Sequence, residues 1–166
     1  IDAGPTVFTL KPWFDDFFRE IGERLEDHLT ISEQSILARH WWPDESTLDL
    51  MPNFDLNLAA IRDFSGQKSA VEFEQFYQQT KIAFDIFETP IMRSSKIDLT
   101  TLLKIVLKNQ SNLSNILFRF ESLWRYLTKK FSDPRLRQLF ARYATYVGAS
   151  PLKSPALLAL IWQAEA

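Results

Sequence analysis

The sequence of 166 residues contains no cysteine and only four glycines. The absence of cysteine excludes disulfide bonds, thiolate metal ligands and a cysteine nucleophile, and it is compatible with a reducing compartment. Four glycines are too few for a glycine-rich phosphate loop in addition to ordinary turns, and no such motif occurs in the sequence. The chain therefore lacks the common motifs for thiol chemistry and for nucleotide binding.

The remaining polar residues form no recognisable catalytic or metal-binding pattern. The two histidines, His28 and His40, lie on predicted strands without carboxylates at metal-ligand spacing, and we interpret both as structural or surface residues. Four carboxylates lie near the first predicted helix, and the first two lie in its first turn, where negative charge suits the helix dipole. We therefore interpret them as a solvated helix face and not as a catalytic acid cluster. These carboxylates are Asp15, Asp16, Glu20 and Glu23.

Long hydrophobic runs are also missing. No apolar run reaches the roughly 18 residues that are needed to cross a bilayer, and no signal peptide is visible. The sequence begins with Ile1 and not with methionine, which suggests a piece of a larger protein.

Aromatic residues, by contrast, are abundant. The chain contains 14 Phe and 5 Trp, and hydrophobic residues make up 46% of it, which indicates a folded protein. Most amphipathic helices simply bury their apolar face, so an ordinary core is the simplest interpretation of each apolar stripe. The number of aromatic side chains nevertheless favours a pocket for an apolar ligand, because such side chains line most ligand pockets.

Charge is distributed unevenly along the chain. Residues 1–60 carry 12 acidic and 4 basic side chains, whereas residues 61–166 carry 9 acidic and 15 basic ones. We interpret the densest basic stretch as a solvated helix surface, since runs of charge usually face water. The alternative interpretation is that it attracts anionic lipid head groups. Nucleic acid is not expected as a partner, because no nucleic-acid-binding motif appears. The basic stretch comprises Arg119, Arg125, Lys129, Lys130, Arg135, Arg137 and Arg142.

The periodicity of apolar residues predicts an α+β domain that is mainly helical, with about six to seven helices and a small antiparallel sheet. Short β-like runs occur at 6–10, 28–32, 37–42 and 47–51, and the last two are predicted to form a hairpin around a turn. The first helix begins at Pro12, and its apolar stripe consists of Phe14, Phe17, Phe18, Ile21 and Leu25.

Helices dominate the rest of the chain. A short helix covers about 54–64 and stops near Gly66, and a capping-box pattern at Ser69 and Glu72 begins the next one. Apolar stripes predict further helices around 99–107 and 113–131. The last two helices begin at the pairs Asp133-Pro134 and Ser154-Pro155.

Two stretches resemble a known protein family. The segments "DAGPTVFT" (2–9) and "DPRLRQLFARYATYVGASPLKSPALLALIWQAE" (133–165) are similar to the bacterial carotenoid desaturases, the phytoene desaturase family of FAD flavoproteins. The likeness is greatest to the hydroxyneurosporene or methoxyneurosporene desaturase branch. The pattern "YVG-SP" followed by "PA--ALI---E" carries most of it, whereas residues 65–130 match loosely.

The resemblance implies that residues 1–166 are a single substrate-binding domain cut from an FAD-dependent enzyme whose dinucleotide-binding parts lie elsewhere. It implies a bacterial cytoplasmic enzyme, peripherally associated with the membrane, that desaturates a long apolar carotenoid by hydride transfer to flavin. The substrate-binding domain alone would be inactive and would not hold FAD. No metal site is expected.

The resemblance also implies roles for individual residues. The residues near the flavin would be Asp2, Ala3, Gly4, Pro5 and Thr6. The residues that wall the substrate space would be Tyr143, Tyr146, Val147, Gly148, Pro151, Leu157, Ile161 and Trp162. Some family members carry an Asp and an Arg three residues apart where this chain has Gln78 and Lys81. The positive charge is kept at Lys81 but the carboxylate is not, so no acid–base role is expected for that pair in this chain.

Two other functions stay open at this point. One is a related flavoprotein that acts on a retinoid or another isoprenoid. The other is a non-catalytic helical module that binds lipid or a partner helix. A dinucleotide-binding motif in the parent protein would exclude the last of these.

Overall fold

The computed structural model of the chain describes residues 8–92, 99–109 and 121–165. Within these ranges it contains six α-helices and a two-stranded antiparallel sheet, so the predicted mainly helical α+β class is confirmed. The elements in chain order are α1 (Lys11–Glu20), β1 (Ala38–Trp41), β2 (Thr47–Leu50), α2 (Phe54–Phe87), α3 (Leu99–Lys108), α4 (Leu123–Lys130), α5 (Pro134–Ala141) and α6 (Ile161–Glu165).

The predicted hairpin is confirmed as the antiparallel pair β1–β2, in which His40 lies opposite Leu48. Arg39 and Asp49 face each other across the pair in a bidentate ion pair of 2.6 and 2.7 Å. The strand predicted at 28–32 is wrong, because these residues form an irregular segment that finds no strand partner among the described residues. Residues 8–10, from the first β-like run, are not in a strand either.

The long helix α2 bends at Gly66, where the predicted break between two helices lies. Gly66 has φ 86° and ψ 172°, a backbone conformation that is essentially restricted to glycine. The predicted capping box is wrong, because Ser69 lies inside α2 and its hydroxyl contacts that of Ser65 at 2.8 Å. The Glu72 carboxylate instead accepts hydrogen bonds from the backbone N–H and hydroxyl of Ser132. Glu72 thus connects α2 to the turn between α4 and α5.

The C-terminal half consists of short helices with side-chain caps. The helix predicted over 113–131 is described only from α4 onward, which Ser122 caps at the backbone N–H of Arg125. Asp133 caps α5 as predicted, accepting from the Arg135 N–H at 2.8 Å. The predicted last helix begins as a 3₁₀-helix, Ala156–Leu160, before it continues as α6.

Asp133 also connects α5 to α2. Its carboxylate accepts from the Ser65 hydroxyl at 2.5 Å and pairs with Arg135 at 2.8 Å. Burial by itself would raise the pKa of Asp133, but the hydrogen bonds from Arg135 and Ser65 outweigh it and lower the pKa to about 2. The carboxylate is therefore ionised, and stabilises this junction, at neutral pH.

One aromatic cluster connects α2, α5 and α6. The ring of Phe140 on α5 lies within 4.7 Å of Phe76, 5.0 Å of Phe131, 5.6 Å of Trp162 and 6.0 Å of Phe73, measured between centroids. All five side chains are at most 1% exposed. Aromatic pairs at such distances add to the stabilisation that burial alone provides. Phe140 is therefore the centre of the core.

Replacing Phe140 should destabilise the protein strongly. Phe140→Ala removes a ring that contacts all three helices, and we expect it to lower the free energy of unfolding by about 3–5 kcal/mol. The matched substitution Phe17→Ala, at a side chain that is 55% exposed, should change it by less than about 0.5 kcal/mol. Urea denaturation of both variants measures the difference. Equal losses would contradict this assignment of the core.

A second constraint lies at Gly148, which ends the 3₁₀-helix Arg142–Val147. Gly148 has φ 62° and ψ 28°, a left-handed conformation, and its N–H donates to the Thr145 carbonyl at 2.9 Å. The N–H of the next residue, Ala149, donates to the Ala144 carbonyl at 3.1 Å. Glycine is favoured at such helix ends because it has no Cβ.

Gly148→Val should therefore cost about 1–3 kcal/mol of stability, since a β-branched residue strongly disfavours this conformation. No heavy atom lies within 4 Å of a Cβ placed at this position, so the loss comes from the backbone and not from a clash. Gly148→Asn is the matched control, because asparagine tolerates left-handed backbone and should cost much less. Urea midpoints that coincide for the two variants would contradict this explanation.

Candidate functional site

An apolar cleft of about 370 Å³ lies between the end of α2 and the C-terminal residues. Its volume is at the lower end of the range that is usual for ligand pockets. The polar groups on its lining are few: Thr9, Glu88, Tyr146 and Glu165. The apolar side chains that line it are Leu10, Phe84, Phe87, Leu157, Leu160 and Ile161.

Three parts of the chain form the cleft, and specific contacts hold them together. Trp162 anchors α6 in the aromatic core, and Gln163 donates to the Thr80 hydroxyl on α2 at 2.8 Å. At the opposite edge, the indole N–H of Trp13 on α1 donates to Glu88 at 2.7 Å. The segment that leads into α1 therefore passes along the cleft, where it contributes Thr9 and Leu10.

A carboxylate with several donors borders the cleft. Oε2 of Glu165 accepts from the Arg142 guanidinium at 2.5 Å and from the Tyr143 hydroxyl at 2.8 Å. Oε1 accepts from the hydroxyl of Tyr146. The Glu165 side chain is 9% exposed, whereas Tyr146 is 51% exposed. Glu165 is therefore held in one position at the edge of the cleft, beside an accessible tyrosine.

Burial keeps two neighbours of this carboxylate neutral. Burial raises the pKa of Tyr143 well above its usual value, so its phenol stays protonated and donates to Glu165. Burial and the positive charge of Arg142 lower the pKa of His40, so the imidazole is uncharged at neutral pH. The charges at this end of the cleft are thus the paired ions Arg142 and Glu165.

The structure places three of the predicted wall residues on the cleft, namely Tyr146, Leu157 and Ile161. Tyr143 is fully buried; its hydroxyl donates to Glu165, and its ring lies 5.9 Å from that of Tyr146 between centroids. Trp162 lies in the aromatic core, and its indole N–H has no partner within the described part of the chain.

The other predicted site residues lie elsewhere. Val147 is 59% exposed, Gly148 lies on the surface, and the Pro151 carbonyl accepts from the Trp124 N–H of α4 at 3.0 Å. The residues expected near the flavin, Asp2, Ala3, Gly4, Pro5 and Thr6, lie outside the described residues. The assignment of all these residues to a site stays a prediction.

Sequence reasoning did not single out several residues of the cleft and its edge, among them Phe84, Phe87, Glu165 and Arg142. Phe84 and Phe87 belong to a predicted helix stripe, and nothing in the periodicity distinguished them from core residues. Glu165 is the final position of the "PA--ALI---E" pattern, so the sequence marked it without indicating its partners. Arg142 belongs to the basic stretch, where its ion pair with Glu165 could not be foreseen across 23 positions.

Apart from Arg119, which lies outside the described residues, the basic stretch is largely engaged within the fold. Arg135 pairs with Asp133 and Asp44, and Lys129 pairs with Glu121. Other cations of the stretch bind the Gln79 side chain, backbone carbonyls and Glu165. A role for this surface in binding anionic lipid stays a prediction.

The acidic residues near α1 are also used in local contacts. Asp15 pairs with Lys11, Asp16 with Arg19, and Glu23 with His28.

Across the described ranges, no group of three or more potential ligands could hold a metal ion. In the same ranges, no helix has the length and apolarity needed to span a membrane.

The pair Gln78 and Lys81 lies on the exposed side of α2 and does not line the cleft. Lys81 instead pairs with Asp85, one turn further along the helix, at 3.3 Å.

Comparison with known proteins gives whole-chain similarity to one group of enzymes. The chain is 45% identical to the hydroxyneurosporene desaturase of Cereibacter sphaeroides over 166 residues, which is all of this chain and 33% of that protein. It is 42% identical to the enzyme of the same name from Rhodobacter capsulatus and 40% identical to that from Rubrivivax gelatinosus. Each comparison covers 99% of this chain and about a third of the relative. No protein-family model matches the chain.

The chain therefore spans about a third of the length of the curated relatives that it matches. The similarity extends through residues 65–130, where the motifs alone matched loosely. Identity of 40–45% over the whole chain confirms the resemblance that the segments 2–9 and 133–165 indicated. The chain is homologous, from end to end, to one segment of the bacterial carotenoid desaturases.

Proposed function

We propose that this chain is the substrate-binding domain of an FAD-dependent carotenoid desaturase. The observation that carries the proposal is the apolar cleft, lined by Leu157 and Ile161, in a chain whose relatives are named hydroxyneurosporene desaturases. An apolar lining with few polar groups suits a hydrocarbon ligand. The substrate would be a carotenoid that bears a hydroxyl group, as those names indicate.

The residues of the cleft would position the polyene and exclude water. When bound, the flavin supplies the redox chemistry by accepting a hydride from a saturated carbon pair. The wall of the cleft is apolar where Phe84, Phe87 and the aliphatic side chain of Ile161 on α6 line it. These side chains can contact a hydrocarbon without displacing water from a polar group of their own. The chain thus contributes orientation and a dry environment, which are the usual contributions of protein to cofactor chemistry.

The family resemblance would place a flavin beside the segment 2–6, which lies outside the described residues. Thr9 and Leu10 line the cleft and lie three and four positions after Thr6, the last residue of the segment that the family resemblance assigns to the flavin side. A polyene in the cleft could therefore extend toward a flavin beside the N-terminal segment.

The complete enzyme, loaded with FAD, tests this proposal. We would add hydroxyneurosporene in liposomes without oxygen and follow the flavin absorbance together with the carotenoid spectrum. The expected result is flavin bleaching with a product of longer conjugation. Leu157→Trp, which fills the cleft, should lower the conversion roughly tenfold or more, because small displacements of a reacting group cost large rate factors. Leu56→Trp, at an exposed position on α2, is the matched control.

The alternatives predict different results in this assay. A flavin that stays oxidised with every carotenoid, and bleaches with a retinoid or another isoprenoid, would indicate a related oxidoreductase. A complete protein that binds no flavin would indicate a non-catalytic lipid- or partner-binding module. Equal activity of Leu157→Trp and Leu56→Trp would indicate that the cleft does not bind the substrate.

We also propose that the enzyme binds the surface of a bacterial membrane from the cytoplasm, through α1. Phe14 and Phe17 on this helix, and Ile21 at its C-cap, are 43, 55 and 56% exposed. The apolar side chains of Leu29 and Ile31, in the segment after α1, are 50 and 38% exposed. An amphipathic helix with such a face suits the membrane interface.

The position of α1 supports this proposal. Its Trp13 contacts Glu88 at the edge of the cleft, and the residues before it line the cleft. A helix that lies on lipid at this place would bring the cleft to the bilayer, where an apolar polyene is dissolved. Apolar contact, more than the basic surface, would then provide the binding energy.

Vesicle co-sedimentation of the complete protein tests this contact. Phe17→Glu combined with Ile21→Glu should reduce binding to phosphatidylcholine vesicles about tenfold or more, since charges at the interface oppose insertion. The matched control is Val71→Glu combined with Ile82→Glu, two exposed apolar positions on α2. Unchanged binding of the α1 variant would indicate that another part of the enzyme covers this face.

A further inference from the structure

Among the polar residues that line the apolar cleft, Glu165 has a carboxylate that several donors hold in place and that still has an acceptor position to offer. A carboxylate oxygen accepts two hydrogen bonds, and Oε2 of Glu165 already accepts two, from Arg142 and Tyr143. Oε1 accepts one, from Tyr146. Oε1 of Glu165, a residue that lines the cleft, can therefore accept one further hydrogen bond.

The second carboxylate on the cleft, Glu88, is less suited to bind a ligand group. Its Oε1 accepts the indole N–H of Trp13, and this contact fixes α1 against the end of α2. Glu165 differs because its own fold holds it in place through three donors from one 3₁₀-helix, Arg142–Val147. A carboxylate held in this way needs no reorganisation when a ligand donates to it.

The size of the cleft indicates which part of a substrate would reach this carboxylate. A volume of about 370 Å³ suits one end of a long polyene and not its whole length. A hydroxyl group on that end would lose its hydrogen bonds to water on entering an apolar cleft, which is costly unless a protein group replaces them. A carbon chain without a hydroxyl has no such requirement.

We infer that Glu165 is a specificity-determining residue that accepts a hydrogen bond from the terminal hydroxyl of a hydroxylated carotenoid. The inference rests on the proposed function, and it assigns the cleft to the hydroxyl-bearing end of the substrate. The hydroxyl donates to Oε1, and the half-exposed ring of Tyr146 covers the same end group. A hydrogen bond to a charged acceptor is stronger than one between neutral groups, so it provides discrimination that an apolar wall cannot.

The test compares two substrates with the complete, FAD-loaded enzyme: hydroxyneurosporene and the same carotenoid without its hydroxyl group. The readout is the ratio of the two kcat/KM values, which general loss of stability does not alter. Wild type should prefer the hydroxylated substrate. Glu165→Gln should reduce this preference about tenfold, because it removes the charge of the acceptor. Glu165→Asp, which keeps the charge but withdraws it from the cleft, should reduce it as well.

Two matched variants identify the group that binds the hydroxyl. Tyr146→Phe leaves both acceptor sites of Oε1 available, so the preference should stay within about threefold of wild type. Glu88→Gln changes the other carboxylate of the cleft and should leave the ratio at its wild-type value, whatever it does to turnover.

Three results would overturn the inference. They are a wild-type enzyme that converts both carotenoids equally well, Glu165 variants with the wild-type ratio, and a ratio that falls only with Tyr146→Phe or Glu88→Gln. Each of these leaves the proposed desaturase function intact. A wild-type enzyme that converts neither carotenoid would instead contradict the proposed function itself.

Discussion

The packing of Phe140 against α2 and α6 is the interaction on which the rest of the structure depends. Its ring contacts Phe73 and Phe76 on one side and Trp162 on another, so a single side chain fixes the relative positions of three helices. Because Trp162 is held in this cluster, the neighbouring face of α6 carries Ile161 to the cleft. The apolar cleft is thus a direct consequence of the core and not of a separate loop.

The same arrangement explains why a charged pair lies beside an apolar surface. The 3₁₀-helix that follows α5 presents Arg142, Tyr143 and Tyr146 to the end of α6, where they meet Glu165. A buried carboxylate is costly unless donors compensate it, and here three donors do so. The result is an acceptor of fixed position at the edge of an otherwise apolar cleft. An apolar wall with few polar groups, one of them a fixed acceptor, suits the hydroxylated polyene that is proposed as the substrate.

Local rules of sequence predicted much of the fold. The pair Asp133-Pro134 marked the start of α5, the break at Gly66 marked the bend of α2, and alternation at 47–51 marked the hairpin. These features depend on residues that are close in sequence. The strand predicted at 28–32 was wrong because strand formation requires a partner, and periodicity cannot show whether one exists.

The candidate site could be predicted only in part, for a related reason. The family resemblance indicated the region of Tyr146 and Ile161, but its assignment of Trp162 to the substrate wall did not anticipate that the core buries this side chain completely. Conversely, the importance of Glu165 depends on hydrogen bonds from residues 19 to 23 positions away. Such contacts arise from helix packing, which no single stretch of sequence specifies.

The central claim is that the cleft holds the polyene, and crosslinking tests it most directly. A photoreactive amino acid at Ile161, in the complete enzyme with bound carotenoid, would be illuminated and the adducts located by mass spectrometry. The same residue at the exposed position Leu56 is the control. The account predicts carotenoid adducts from position 161 and none from position 56. Adducts from position 56 alone, or from neither position under conditions of active turnover, would contradict it.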